Sequence, residues 1–294
     1  MPRWVWRRYV VGMKTRPPRL LGLSLLAPLA LVGACGDAAP RQDVSLTFRA
    51  TMGSETFACG QPFTGLGVTG DQTLTVRDAR LYVHDVRLVT AAGDEVALEL
   101  GENAFQHQGI AYLDFADSND TGCEGNPETR LVIEGSAPEG DYVGVRFTVG
   151  MPFEQNHQEA SVAASPLNIT DMFWAWQSGY KFIKLDGAST GVPTWRFHLG
   201  STGCVGDPMA GGVTSCTAPN RFDVELMGMD LAADSIRFDI AELVSDVDLD
   251  TFTPETPPGC MSGAMDPDCT EYFEALGLPH ASSPAGVQRV FTVD

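Results

Sequence analysis

Four residues, His157, Trp174, Trp176 and His198, carry the chemistry available to this chain. The 294-residue sequence holds only five histidines, five tryptophans and ten methionines. Residues 150–204 gather two of those histidines around a Trp-x-Trp pair, with Met151 and Met172 beside them. Neutral imidazole ligates copper, zinc, iron and nickel alike, and thioether sulfur shifts the choice toward Cu(I). Each residue also has an ordinary reading. Methionine fills core gaps, tryptophans pack, and a loop histidine such as His157 is often idle. In Trp195-Arg196-Phe197-His198, alternation sets Arg196 and His198 on the face opposite Phe197, a face that can line a pocket. Met209, Met261 and Met265 are further candidate thioether donors. His84, on the outward face of a strand, His107 and His280 read as surface or supporting residues.

Enzyme signatures are scarce. The chain has no His-Glu-x-x-His, no Cys-x-x-Cys-His haem attachment and no Cys-x-x-Cys pair, so zincin and c-type haem chemistry lack their usual motifs. Asp246, Asp248 and Asp250 imitate the start of a calcium loop. The glycine at the sixth position is missing, and Pro257 stands where the twelfth-position glutamate belongs. They read as a solvated strand edge. The chain is expected not to be an enzyme.

The elements that must position these residues are mostly strands. Val44, Leu46, Phe48, Ala50 and Met52 alternate with polar residues, as do Val143, Val145, Phe147 and Val149, which gives one buried face at period two. Segments 81–89, 130–134, 222–226 and 236–240 are further strands, separated by Gly, Pro, Asn and Asp clusters. Ser165-Pro166 is placed to cap and start a helix running through Leu167, Met172 and Trp176 until Gly179. Residues 268–276 form a second short helix, stopped by Gly277. Residues 205–219 and 252–268 read as long Gly/Pro-rich loops. The expected fold is mainly β, an antiparallel β-sandwich with one or two short helices and disulfide-stapled loops, in a single domain over 44–294.

Residues 1–35 lie outside that domain. Six basic residues precede an apolar run from Leu20 to Ala34, a secretory signal too short and too broken by Gly22, Pro28 and Gly33 to span a membrane. Met13 is an alternative start to Met1. Val32-Gly33-Ala34-Cys35 resembles a bacterial lipobox. That resemblance implies that Cys35 becomes a lipidated N-terminus, with residues 36–43 as a flexible tether and a lipid anchor as the only membrane contact. Gly36 stands where an inner-membrane-retaining aspartate would be, which favours the outer membrane of a Gram-negative envelope, facing the periplasm. Beyond residue 35, 13 basic residues face 38 acidic ones, a net charge of −25. Such a surface repels nucleic acid. Cys59, Cys123, Cys204, Cys216, Cys260 and Cys269 are an even set in an exported chain and read as three disulfides. Fifteen pairings are open; spacing favours Cys204–Cys216 and Cys260–Cys269 as local loops, leaving Cys59–Cys123.

Five segments together resemble the MbnP-like family, also called the metallo-mystery pair four-Cys-motif proteins. They are residues 148–157 (TVGMPFEQNH), 165–168 (SPLN), 172–182 (MFWAWQSGYKF), 197–204 (FHLGSTGC) and 258–263 (PGCMSG). The resemblance implies a periplasm-facing copper protein that holds the metal as Cu(I). It also implies a partner, a di-haem protein of the MauG/cytochrome c peroxidase superfamily, which oxidises the first Trp of the pair, here Trp174, to kynurenine. On this reading His157 and His198 ligate copper with modified Trp174, Met172 or Met261 completes the set, and Trp176 and Asn156 support it. Six cysteines beyond residue 35, against the family's four, imply an extra disulfide. The competing expectation is a disulfide-stapled envelope binding or structural module whose histidines are incidental.

Overall fold

The period-two pattern at Val44–Met52 folds as the strand β1 (Arg41–Met52), with Val44, Leu46, Phe48 and Ala50 buried and the residues between them exposed. A computed structural model describes residues 39–117, 122–123, 129–207 and 212–294. The signal at 1–35, the lipidation of Cys35, the first tether residues and Met209 lie outside the described residues. Residues 41–43, expected as the end of the tether, belong to the sheet. β1 pairs from Arg41 onward, and the Arg41 guanidinium bonds the Ser136 carbonyl at 2.6 Å and pairs with Glu99. The polar residues at this end of the strand leave no apolar pattern to read.

The spine is β2 (Gln72–Thr90), 19 residues long and hydrogen-bonded to five other strands. Its neighbours include β3 (Ile110–Asp114), β5 (Tyr142–Val149) and β7 (Gly179–Ser189). β4 (Val132–Pro138) pairs β1 in the other sheet. Short β6 (Phe173–Ala175) adds to β7 at one end, and β8 (Trp195–Gly200) pairs along its length. β9 (Thr202–Asp207) and β10 (Gly212–Ala218) form a separate hairpin, where a long loop was expected at 205–219. β11 (Phe222–Met227) closes one side of the large sheet; β12 (Ile236–Asp239) and β13 (Phe291–Val293) extend the small one from β1. Among the described residues, pairing is antiparallel except for β1–β12 and β8 with Gly259–Cys260.

The two sheets pack face to face as the expected sandwich. Phe48 of β1 meets Phe147 of β5 edge-on, with centroids 5.6 Å apart, and Phe291 bridges from Phe147 to Phe238 at 5.7 and 5.1 Å. Truncating such a ring costs about 3–5 kcal/mol.

The helices are short: α1 (Phe153–Asn156), α2 (Ile240–Leu243) and α3 (Thr270–Ala275). Strand 236–240 ends one residue early because the Asp239 carboxylate caps α2 through the amides of Ala241 and Glu242. The expected 268–276 helix forms as a 3₁₀ turn followed by α3, with Gly277 at φ +72 past its end. The helix expected from Ser165 to Trp176 does not form. The core takes its carbonyls instead: Tyr82 Oη donates to Pro166 O, Tyr180 Oη to Leu167 O and Lys181 Nζ to Asp171 O. The segment is a 3₁₀ turn at Thr170–Met172 that runs directly into β6. The six cysteines pair as Cys59–Cys123, Cys204–Cys216 and Cys260–Cys269.

Candidate metal centre

His198 points inward from β8 and is 4 % exposed. Its Nε2 lies 2.7 Å from Asp186 Oδ1 on the adjacent β7. Burial works against the Asp186 charge, but the hydrogen bond from His198 and the ammonium of Lys184 outweigh it and hold the carboxyl well below its usual range. An ionised carboxylate only accepts, so Nε2 carries the imidazole proton and Nδ1 keeps the lone pair. That Nδ1 is buried and has no partner. Burial pushes the His198 pKa down, and the Asp186 hydrogen bond only partly opposes it, so the ring is neutral at neutral pH.

Trp174 stands opposite. Its neighbours Phe173 and Ala175 register with Tyr180 and Gly179, and the indole lies 6.3 Å from the His198 ring at 48°. Trp174 Nε1 is likewise buried and unpaired. A buried polar atom without a partner costs about 1–3 kcal/mol. Two such nitrogens on neighbouring rings, one offering a lone pair and the other an N–H, both lack the partner that burial calls for.

His157 follows the single turn of α1. Its Nδ1 is 3.2 Å from the Trp176 carbonyl, which can only accept, so Nε2 holds the lone pair. Asn156 Nδ2 and Cys216 Sγ approach that nitrogen at 3.3 and 3.5 Å. Burial lowers the His157 pKa against the pull of the Trp176 carbonyl. Asn156 is 1 % exposed, and its Oδ1 accepts from Tyr180 N at 2.8 Å. Gly179, at φ +77, leaves no room for a Cβ, because Asn156 O and Oδ1 would each stand 2.4 Å away. The turn after Trp176 is thereby pinned onto Asn156, and Gln177 Nε2 ties it to Cys204 O at 2.8 Å. The three residues Trp174–Trp176 thus reach both histidines, His198 through a ring and His157 through a carbonyl. The donor atoms of His157, Cys204 and Cys216 all lie within 4.8 Å of one another. Both sulfurs are spent in a disulfide, so they offer no thiolate.

Met172 is fully buried in the core. Met261 precedes Ser262, whose hydroxyl donates to His198 O and accepts from Gly200 N. Trp176 is half-buried.

Beneath the site runs a buried charge cluster that sequence reading missed. Asp78, Arg80 and Lys184 are nearly inaccessible. Lys184 Nζ bonds Asp78, and also Asp171 and Asp186 at 2.9 Å each. Arg80 pairs with Asp78 and Asp171. The available signal was Asp78-Ala79-Arg80 and Lys184-Leu185-Asp186, charges at period two inside apolar strands.

Other candidates resolve into support. Among the polar contacts of His84, Nδ1 meets Gly150 O at 3.1 Å; His107 pairs with Glu102. His280 is buried, not superficial, between Thr270 Oγ1 and Gly263 O. Asp246, Asp248 and Asp250 occupy turns rather than a strand edge, each with its own partner: Arg289, Gln72 and Gly191 N. Gly187-Ala188-Ser189-Thr190-Gly191 matches the Gly-x-Ser-x-Gly of hydrolases, but it ends a strand without a helix after it. Ser189 Oγ donates to Leu249 O, away from any histidine. Gly65-Leu66-Gly67-Val68-Thr69-Gly70 matches Gly-x-Gly-x-x-Gly, yet it joins two strands and opens no helix.

A family model described as MbnP matches residues 41–262. A solved structure, MbnP from Methylosinus trichosporium, is similar with a TM-score of 0.76 and 31 % identity, over 86 % of this chain and 98 % of that one. No curated protein matches.

Proposed function

The chain belongs to the MbnP family, and on that premise we propose that it binds copper as Cu(I) in the cell envelope and is not itself an enzyme. His157 and His198 would hold the ion through Nε2 and Nδ1, the nitrogens that their Trp176 and Asp186 partners leave unprotonated; at His157 the ion would displace the Asn156 Nδ2 contact. The observation that carries this reading is the unpaired, buried Nδ1 of His198 beside the unpaired, buried Nε1 of Trp174.

An indole N–H donates and cannot ligate. Oxidation of Trp174 to kynurenine changes that at the same atom. The C2–C3 bond of the indole breaks as two oxygens are inserted, from one dioxygen or from two hydrogen peroxides with release of two waters, and hydrolysis by a further water releases C2 as formate. Nε1 becomes an arylamine with a lone pair. A di-haem protein of the MauG/cytochrome c peroxidase superfamily is the proposed partner that supplies this oxidation. Met172 or Met261 would complete the set. The net charge of −25 beyond residue 35 suits a cationic cargo. The role is copper homeostasis, with the protein anchored to the outer membrane through lipidated Cys35.

The test is copper content after co-expression with the di-haem partner. The parent carries copper, and the Trp174 peptide has the mass of kynurenine. His157→Ala and His198→Ala lose the metal while keeping the fold. Variants that retain the parent's copper sink the assignment, and copper-free native protein with fully oxidised Trp174 favours the structural-module reading.

A further inference from the structure

We propose that Lys184 is a positioning residue whose one ammonium group sets both members of the His198–Trp174 pair. It stands directly opposite His198 in the β7–β8 register. Its three N–H donors match three carboxylates: Asp78, Asp171 and Asp186. Through Asp186 it fixes His198, because Lys184 takes Oδ2 and leaves Oδ1 facing Nε2. A carboxylate held at both oxygens cannot rotate away, so the imidazole stays in the tautomer that frees Nδ1. Through Asp171 it fixes Trp174. Asp171 sits in the 3₁₀ turn Thr170–Met172, three residues before the indole, and β6 starts where that turn ends.

The Asp171 side chain is 58 % exposed, so water alone would solvate it. Its reach down to the buried Lys184 and Arg80 therefore compensates those two cations and at the same time clamps the turn over them. Asp78, fully buried, anchors both cations from the other side. Outer groups of this kind commonly change metal affinity by about 10–100-fold when lost.

The affinity consequence rests on the copper reading above; the positioning is read on metal-free protein with unmodified Trp174. In ¹⁵N-labelled protein, long-range proton–nitrogen correlation reports which His198 nitrogen carries the proton, and a ring-to-ring Overhauser effect reports the Trp174–His198 contact. The parent shows Nε2 protonated, Nδ1 free and the ring contact present. Asp171→Asn, exposed enough to keep the fold, weakens the ring contact and leaves the tautomer alone, and Asp171→Glu restores the contact. Lys184→Met, where folded, loses the contact and mixes the tautomers. Asp171→Asn with the parent's ring contact overturns the proposal, as does folded Lys184→Met with both signatures intact. If Lys184→Met does not fold, Asp171→Asn decides. Should the signatures move as expected while Cu(I) competition titration of partner-processed protein shows no loss, the positioning stands and the copper site lies elsewhere.

Discussion

Gly200 lies directly against the Trp174 ring. A Cβ on Gly200 would stand 2.5 Å from Cζ3 and 3.0 Å from Cη2 of the indole, and 2.8 Å from the Tyr180 carbonyl. Space, rather than backbone freedom, dictates glycine here. Gly200→Ala is expected to push the ring off His198 and to cost about 1–3 kcal/mol by overpacking. Thermal denaturation reads the cost, and the near-ultraviolet dichroism of Trp174 reads the displacement. A variant with parental stability and spectrum means that the indole swings freely.

Asn156 joins the two halves of the site. Asn156→Ala leaves the buried Tyr180 amide without its acceptor and removes the side chain beside His157 Nε2. The expected loss is about 1–3 kcal/mol, measured by denaturant unfolding. Asn156→Asp keeps the acceptor for Tyr180 and sets a carboxylate beside His157, so the His157 pKa rises in an NMR titration. An unchanged His157 titration in that variant would place the Asn156 side chain away from the ring.

What the sequence made legible followed from local pattern. Period-two alternation at Val44–Ala50 and Val143–Val149 placed buried faces, because one sheet face is apolar and the other is not. The helix at 165–176 misled because its capping residues are local, while the tyrosine hydroxyls that capture its carbonyls arrive from β2 and β7. His157 and His198 were legible as scarce residue types. Their partners were not: Lys184 and Asp78 are 106 residues apart in sequence, and only the β2–β7 register brings them together.

The disulfides should differ in worth by loop length. Cys59–Cys123 closes a separation of 64 residues and Cys204–Cys216 one of 12. Chain entropy assigns them about 4 and about 3 kcal/mol. Of the paired Cys→Ser variants, compared by denaturant midpoint, the one lacking Cys59–Cys123 should be the less stable. Only the Cys204/Cys216 pair should also disturb His157, whose Nε2 it contacts. A reversed stability order would mean that native packing around each bridge, not loop closure, sets its value.

Asp114 gives the pH prediction. It is 1 % exposed, and burial lifts its pKa to about 6, although the Ala116 amide, the Tyr112 hydroxyl and the Arg80 charge pull the other way. An unfolded aspartate titrates near ~3.9. Between those values the native state binds more protons than the unfolded one, so stability falls as pH rises through the window. The contribution is fully present below ~4 and lost above about 6. Asp114→Asn keeps the acceptor for the Ala116 amide and can donate to the Tyr112 oxygen. It should therefore be more stable than the parent at pH 8 by about 1–3 kcal/mol, with the gap closing toward pH 4. Denaturant unfolding across that range measures the gap. Parallel curves for the two proteins would mean that Asp114 ionises in the fold as easily as in the open chain, and that the neighbouring Arg80 charge fully offsets its burial.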